Sequence, residues 1–173
     1  MNLLGLFALF AGLILLQTSV LSQLVLGPVR PDLVLLALVA WALTTNTTSA
    51  VKAAILGALL LDLFSSAPVG ISLVGLLAAL LLLRLGEAAG IKGDLLAALV
   101  MAFLATLLYD AAYLLVLEAW GDSIDWPLTL GNVVLPTAVL NALVMPIVYG
   151  IVSWWQQRLA LMAGPRSDRE REA

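Results

Sequence analysis

The sequence predicts an all-α integral membrane protein, a bundle of six transmembrane helices with almost no chain left over for a soluble domain. Three observations lead there. Hydrophobic residues make up 63% of the 173 positions and charged residues only 11%, far from the balance of a soluble domain. The apolar runs are long, and a helix needs roughly 20 apolar residues to cross a hydrocarbon core of about 30 Å. Read as six crossings, the runs leave Arg30 as the one basic residue of eight that falls on the opposite side from the rest.

The first helix is expected over 3–26, ending at Gly27-Pro28. No Lys or Arg precedes it and no small-x-small site lies near Gln17-Thr18-Ser19, so it reads as a retained helix and not a signal peptide. The second is expected over 31–43, with Pro31 at a first-turn position where its missing N–H costs nothing. It is short for a crossing. The polar stretch 44–49 makes a turn, Thr48 or Ser49 caps a third helix over 50–64, and Ser65-Ser66-Ala67-Pro68 opens a fourth that runs to 85. The charged, glycine-bearing segment 84–94 reads as a loop, with Asp94 capping a fifth helix over 95–118. Residues 120–128 form a second polar loop, and a sixth helix over 131–155 is bent or locally unwound by Pro136 and Pro146. Residues 1–160 are thus one transmembrane domain. The tail 161–173 mixes both charge signs with nothing to bury, and is expected to be disordered in the cytoplasm.

Six crossings bring both termini to one side, together with Lys52, Arg84, Lys92, Arg158, Arg166, Arg169 and Arg171. Cytoplasmic loops collect Lys and Arg, so both ends face the cytoplasm and the acidic loop at Asp122 and Asp125 faces outward. Trp41, Trp154 and Trp155 then lie at the inner headgroup level, with Trp120 and Trp126 at the outer one, as in an aromatic belt. A five-crossing path with a re-entrant second and third helix would split the basic loops between faces.

Composition also removes whole function classes. With no Cys and no His, the chain lacks thiol nucleophiles, imidazole bases and the usual zinc ligands, and no cofactor or metal is expected. Nucleic acid is not an expected partner. Tyr109-Asp110 matches half of an intramembrane aspartyl protease signature, but Leu59-Leu60-Leu61 precede Asp62 where the other half needs Gly-x-Gly. The chain therefore reads as no enzyme.

Polar residues inside a membrane need a reason. Asp62 lies about 18 Å along the third helix and Asp110 about 24 Å along the fifth, at about 1.5 Å per residue, so both fall in the outer half. Gln17, Arg30, Asp32 and Asn132 share that level, and Asn141 lies deeper. This set forms a candidate outer polar network around an outward-opening cavity. Two uses are open for it: structural hydrogen bonding, with Arg30 pairing Asp32 or Asp62, or a pocket for a ligand or partner. A second pattern is the run of small residues Ala50, Ala54, Gly57 and Ala58, spaced to let another helix approach closely. That face suits either internal packing or a partner helix.

The ordered series of these residues resembles the rod shape-determining protein MreD family. Arg30-Pro31-Asp32 followed by Leu33-Val34-Leu35-Leu36 and Trp41 is similar to the family's opening of its second helix. Gly57-Ala58-Leu59-Leu60-Leu61-Asp62-Leu63, then Pro68-x-Gly70, is similar to its glycine-to-aspartate stretch and following turn. Asp110, Glu118, Asn141 and Pro146 resemble later landmarks, and Pro68 and the two-sign tail are local variations. The resemblance implies a non-enzymatic component of the bacterial inner (plasma) membrane, working in lateral peptidoglycan synthesis and cell-shape maintenance within the elongation complex. It implies MreC as the direct partner, with MreB, RodA and penicillin-binding protein 2 in the same complex and membrane lipid around it. It also implies a fold similar to the substrate-binding S-components of energy-coupling-factor transporters. The rival reading is such an S-component itself, serving vitamin uptake.

Overall fold

A computed structural model describes residues 3–17, 19, 29–64, 70–90 and 94–162. The described chain is helical almost throughout: α1 (Leu3–Leu16), α2 (Leu33–Thr44), α3 (Thr47–Phe64), α4 (Ile71–Ala88), α5 (Leu95–Trp120), α6 (Trp126–Thr129) and α7 (Leu135–Met162), with one π-helical turn over Leu130–Val134 joining α6 to α7. Four stretches are long and apolar enough to cross a membrane: Thr47–Phe64, Ile71–Ala88, Leu95–Trp120 and Trp126–Arg158. The last has 33 residues, about 50 Å of helix. That is longer than a hydrocarbon core of about 30 Å. This is a multi-pass all-α membrane protein.

Helix ends move from their sequence expectation wherever a side chain seizes a backbone amide. The second helix starts at Leu33, not Pro31, because Asp32 is its N-cap and accepts hydrogen bonds from the Val34 and Leu35 amides. The third begins at Thr47, before Thr48 and Ser49, because the Ser49 amide donates to Asn46 Oδ1 at 2.9 Å. The fourth does not stop at 85. It runs on through Arg84 and Glu87 to Ala88, and Gly90 with φ 84 follows in the turn. Asp94 caps α5 as expected, through the Ala97 amide. Two residues beyond the expected end, α5 closes where the Gly121 and Asp122 amides turn back to Glu118 and Leu117 carbonyls. Gly121 takes φ 116 there, a left-handed value that a side chain would resist. The second polar loop is shorter than expected, since Asp125 caps α6 and Pro127 sits in its first turn. The expected local unwinding appears at Pro136, where Leu135 N–H reaches back five residues to the Leu130 carbonyl beside a proline with no N–H to keep the ladder in step; at Pro146 the helix runs on without a break in assignment. Residues 20–28, where the first helix was expected to continue, the expected cap 65–68, and the tail beyond 162 lie outside the described residues.

The architecture is a ring around one helix. Every residue of α2 from Leu33 to Ala42 is buried, and α1, α3, α4, α5 and α7 all pack against it. A helix that is apolar on every side can only be enclosed by protein or lipid. Here protein encloses it. The flanking helices approach closely because their inward faces are small: Ala50, Ala53, Ala54 and Ala58 on α3, Ala79 on α4, and Ala98, Ala102 and Ala105 on α5 are buried. Outward faces carry leucine at four-residue spacing, as at Leu77, Leu81 and Leu85 on α4, or Leu135, Val139, Leu143 and Ile147 on α7. In water such stripes would be an aggregation hazard; in a bilayer they are the solvated surface.

The tightest approach is at Gly75, where a Cβ would lie 2.5 Å from Tyr109 Cδ2 and 3.2 Å from its backbone oxygen. We predict that Gly75→Ala lowers stability by about 1–3 kcal/mol through overpacking. Gly150→Ala, with nothing within 4 Å of the new methyl, is expected to be neutral or slightly stabilising. Thermal unfolding of both variants in detergent measures the contrast, and equal midpoints would refute the packing assignment.

Candidate functional site

The site is built around the buried start of α2. A helix N-terminus leaves backbone N–H groups without intrahelical partners, and inside a membrane each unpaired group costs several kcal/mol. Here each has an acceptor. The Leu33 amide donates to Gln17 Oε1 at 3.0 Å. The Val34 and Leu35 amides share Asp32 Oδ1, both at 3.0 Å, and Leu36 N–H bonds the Asp32 carbonyl. The Asp32 amide donates to Asn141 Oδ1 at 2.9 Å. Asn141, itself fully buried, passes its Nδ2 hydrogen to Thr106 Oγ1 at 3.0 Å, and Thr106 donates onward to the Ala102 carbonyl. The chain of bonds ties α1, α2, α5 and α7 at one level.

That level is deep. Asn141 lies 15 residues (141 − 126) past Trp126, about 23 Å along a helix of about 50 Å. Thr106 is near the middle of α5. The short α2 therefore starts in the interior of the bilayer-spanning bundle, and its 12 residues cover about 18 Å down to the Trp154 end. There Thr44 and Thr45 hydroxyls close its last carbonyls, donating to Ala40 O and Trp41 O at 2.7 Å. Trp41 Nε1 bonds Ser49 Oγ at 3.0 Å across the turn into α3.

Asp62 does a parallel task one step away. Its Oδ2 accepts from the Gly70 amide at 2.6 Å and its Oδ1 from the Ser72 amide at 3.3 Å, so a carboxylate at the end of α3 caps the start of α4. Ser72 in turn meets the Tyr109 hydroxyl, and the Tyr109 ring lies 6.1 Å from that of Tyr113. The next residue, Asp110, is half-buried on α5 and lies within electrostatic reach of Asp32.

The structure thus gathers part of the expected network and disperses the rest. Gln17, Asp32 and Asn141 are joined directly, and Asp62 is linked to the same region through Ser72 and Tyr109. Arg30 and Asn132 are exposed, and neither is bonded into the network among the described residues. Arg30 forms no pair with Asp32 or Asp62, since backbone amides occupy both carboxylates. Thr106 is the member that sequence reasoning missed; its signal was a lone hydroxyl in the apolar middle of a helix. The small face of Ala50, Ala54, Gly57 and Ala58 is buried: a Cβ on Gly57 would lie 3.0 Å from the Phe10 ring and 3.2 Å from Val34. It packs α1 and α2 against α3. An open apolar groove of about 470 Å³ runs instead along the outer face of the π-turn and α7, lined by Gly131, Leu135, Pro136, Val139, Leu140 and Leu143.

These groups can hold helix ends in place and present polar atoms at mid-depth. Comparison with protein-family models, curated proteins and solved structures returns no match.

Two predictions test the network. Asp32→Ala strips two buried amides of their acceptor and should cost about 1–3 kcal/mol per orphaned donor, with Asp32→Asn milder because its amide oxygen still caps. Asn141→Leu and Thr106→Val should be non-additive in thermal unfolding, because they remove two ends of one bond. Additive effects would show that the Asn141–Thr106 contact contributes nothing of its own.

Proposed function

We propose that the chain is a non-enzymatic component of the rod, or elongation, complex in the bacterial inner membrane, with six crossings and both termini in the cytoplasm. In this reading it is a member of the MreD family, binds MreC, and supports lateral peptidoglycan synthesis and cell shape alongside MreB, RodA and penicillin-binding protein 2. The observation that carries the reading is the ordered series Arg30-Pro31-Asp32, Asp62, Asp110 and Asn141. Three of its members, Asp32, Asp62 and Asn141, are the side chains that tie helix ends inside the bundle. A series chosen by family resemblance coincides with the fold's internal supports.

The S-component reading is favoured by one specific feature, a short central helix that starts at mid-depth with its amides ringed by polar side chains. The two readings separate on what accompanies the protein. Pull-down from native membranes after mild detergent extraction should recover MreC; recovery of a vitamin or a coupling ATPase without MreC would move the assignment to the transporter class. Because the Gly57 face is filled from within, MreC must meet an outward stripe, and Gly57→Leu should reduce accumulation of the protein itself.

Topology has its own test, aided by the absence of native cysteine. Ser123, between α5 and α6, and Thr48, at the start of α3, are exposed at opposite ends of the bundle. In intact cells a membrane-impermeant thiol reagent should label Ser123→Cys and spare Thr48→Cys. The reverse pattern would invert the protein in the membrane, and equal labelling would break the six-crossing path.

A further inference from the structure

The outward stripe of α7 ends on an exposed arginine without a counter-ion among the described residues. Leu143, Ile147, Ile151 and Trp154 are exposed along one side of the helix, and Arg158, one turn further on, is exposed too. No acid stands between Asp125 and Asp168, so α7 offers Arg158 no carboxylate one turn away, and the one salt bridge among the described residues joins Arg84 to Glu87. The Arg158 guanidinium lies 5.3 Å over the Trp154 ring. A cation–π contact holds the guanidinium in place but supplies no oxygen, so its N–H donors stay available to an oxyanion. Paired donors in one plane match two oxygens of a single phosphate. A second feature lies one turn before Trp154 on the same side. Gly150 is exposed, and a Cβ built there would meet no atom within 4 Å. Glycine weakens a helix interior, and here no close approach inside the bundle requires it, unlike Gly57 and Gly75. It leaves a notch in the apolar surface between Ile147 and Trp154.

We infer that this end of α7 binds one anionic phospholipid, with its phosphate on the Arg158 donors and an acyl chain laid through the notch at Gly150 along Ile147 and Leu143. Each part of the surface fits a different part of that molecule. The membrane span Trp126–Arg158 closes on this arginine, and long basic side chains at the end of a span carry their charge to the headgroup level. Trp154, 55% exposed, stands between phosphate and chain, where rings with an apolar body and one polar N–H settle. The exposed aliphatic stripe then continues toward the middle of the bilayer, where acyl chains are what it meets. Selection for negative charge follows from the absent carboxylate. Arg158 keeps its positive charge, and Lys52, exposed near the start of α3, adds to the field at the same end of the bundle. An anionic lipid answers that field, whereas a zwitterionic one brings an ammonium beside its phosphate. A soluble anion would use the arginine and leave the notch idle. The site serves the protein in whichever complex it works.

Native mass spectrometry of the delipidated full chain in mild detergent, titrated in turn with phosphatidylglycerol and phosphatidylethanolamine of matched chains, tests it. Wild type should retain one phosphatidylglycerol on the order of tenfold more tightly than phosphatidylethanolamine. Arg158→Gln should lose that preference. Gly150→Leu fills the notch without touching the charge, and should weaken phosphatidylglycerol retention several-fold. Lys52→Gln removes an equal charge at the same end and should change retention little. Elution volume and helical circular dichroism confirm folding; should Arg158→Gln aggregate, Arg158→Lys, which keeps the charge and loses the paired donors, takes its place. Retention equal to wild type in the arginine variant overturns Arg158 as the phosphate site. Equal retention of the two lipids by wild type overturns the selection for negative charge. Loss in Lys52→Gln as complete as in the arginine variant overturns a defined site in favour of general surface charge. Displacement of the lipid by millimolar inorganic phosphate, with retention undiminished in Gly150→Leu, overturns the lipid in favour of a soluble anion.

Discussion

Burying the start of a helix inside the bundle is the constraint on which the rest of this structure depends. The sides of α2 present no difficulty, because they are apolar throughout. Its start does, since a helix begun inside a bundle leaves amides that neither lipid nor apolar side chains can satisfy. Gln17, Asp32 and Asn141 supply the acceptors there, while at the exposed far end the Thr44 and Thr45 hydroxyls donate to carbonyls of the last turns. The three acceptors come from different parts of the chain. Placing them fixes the depth of α1 and α7 relative to α2, and Thr106 then fixes α5 through Asn141.

Small residues make that geometry attainable. Lipid removes the ordinary hydrophobic drive between helices, so they associate through close packing and a few hydrogen bonds. Gly57 lets Phe10 and Val34 reach α3, and Gly75 lets the Tyr109 ring lie on α4. Tyr109 is thereby brought to Ser72, whose amide Asp62 caps. The packing face and the polar framework are one arrangement: close backbones allow short polar side chains to reach helix ends, and the tied ends hold the backbones close. This coupling explains why a face suited by spacing to a partner helix is used internally.

The polar level is also where a functional role can be lodged. Asp110 is the one acid near this framework that caps no helix among the described residues, and it lies within electrostatic reach of Asp32 and Tyr109. At the opposite end, Arg84 pairs with Glu87 near the close of α4.

By itself the sequence determined the membrane class and the cap at Asp94, because hydropathy and capping are local properties. It determined that the Pro136 region would be irregular, since proline removes a donor wherever it stands. Tertiary structure alone decided that α2 lies at the centre, because a helix that is apolar on every side reads the same whether lipid or protein surrounds it. It alone decided that Asp62 caps a different helix from its own, that Asn141 and Thr106 meet, and that Arg30 and Asn132 stay outside the network. Those choices depend on which polar atoms come within hydrogen-bond reach once helices distant in sequence are packed together, and residue spacing along one helix carries no information about that.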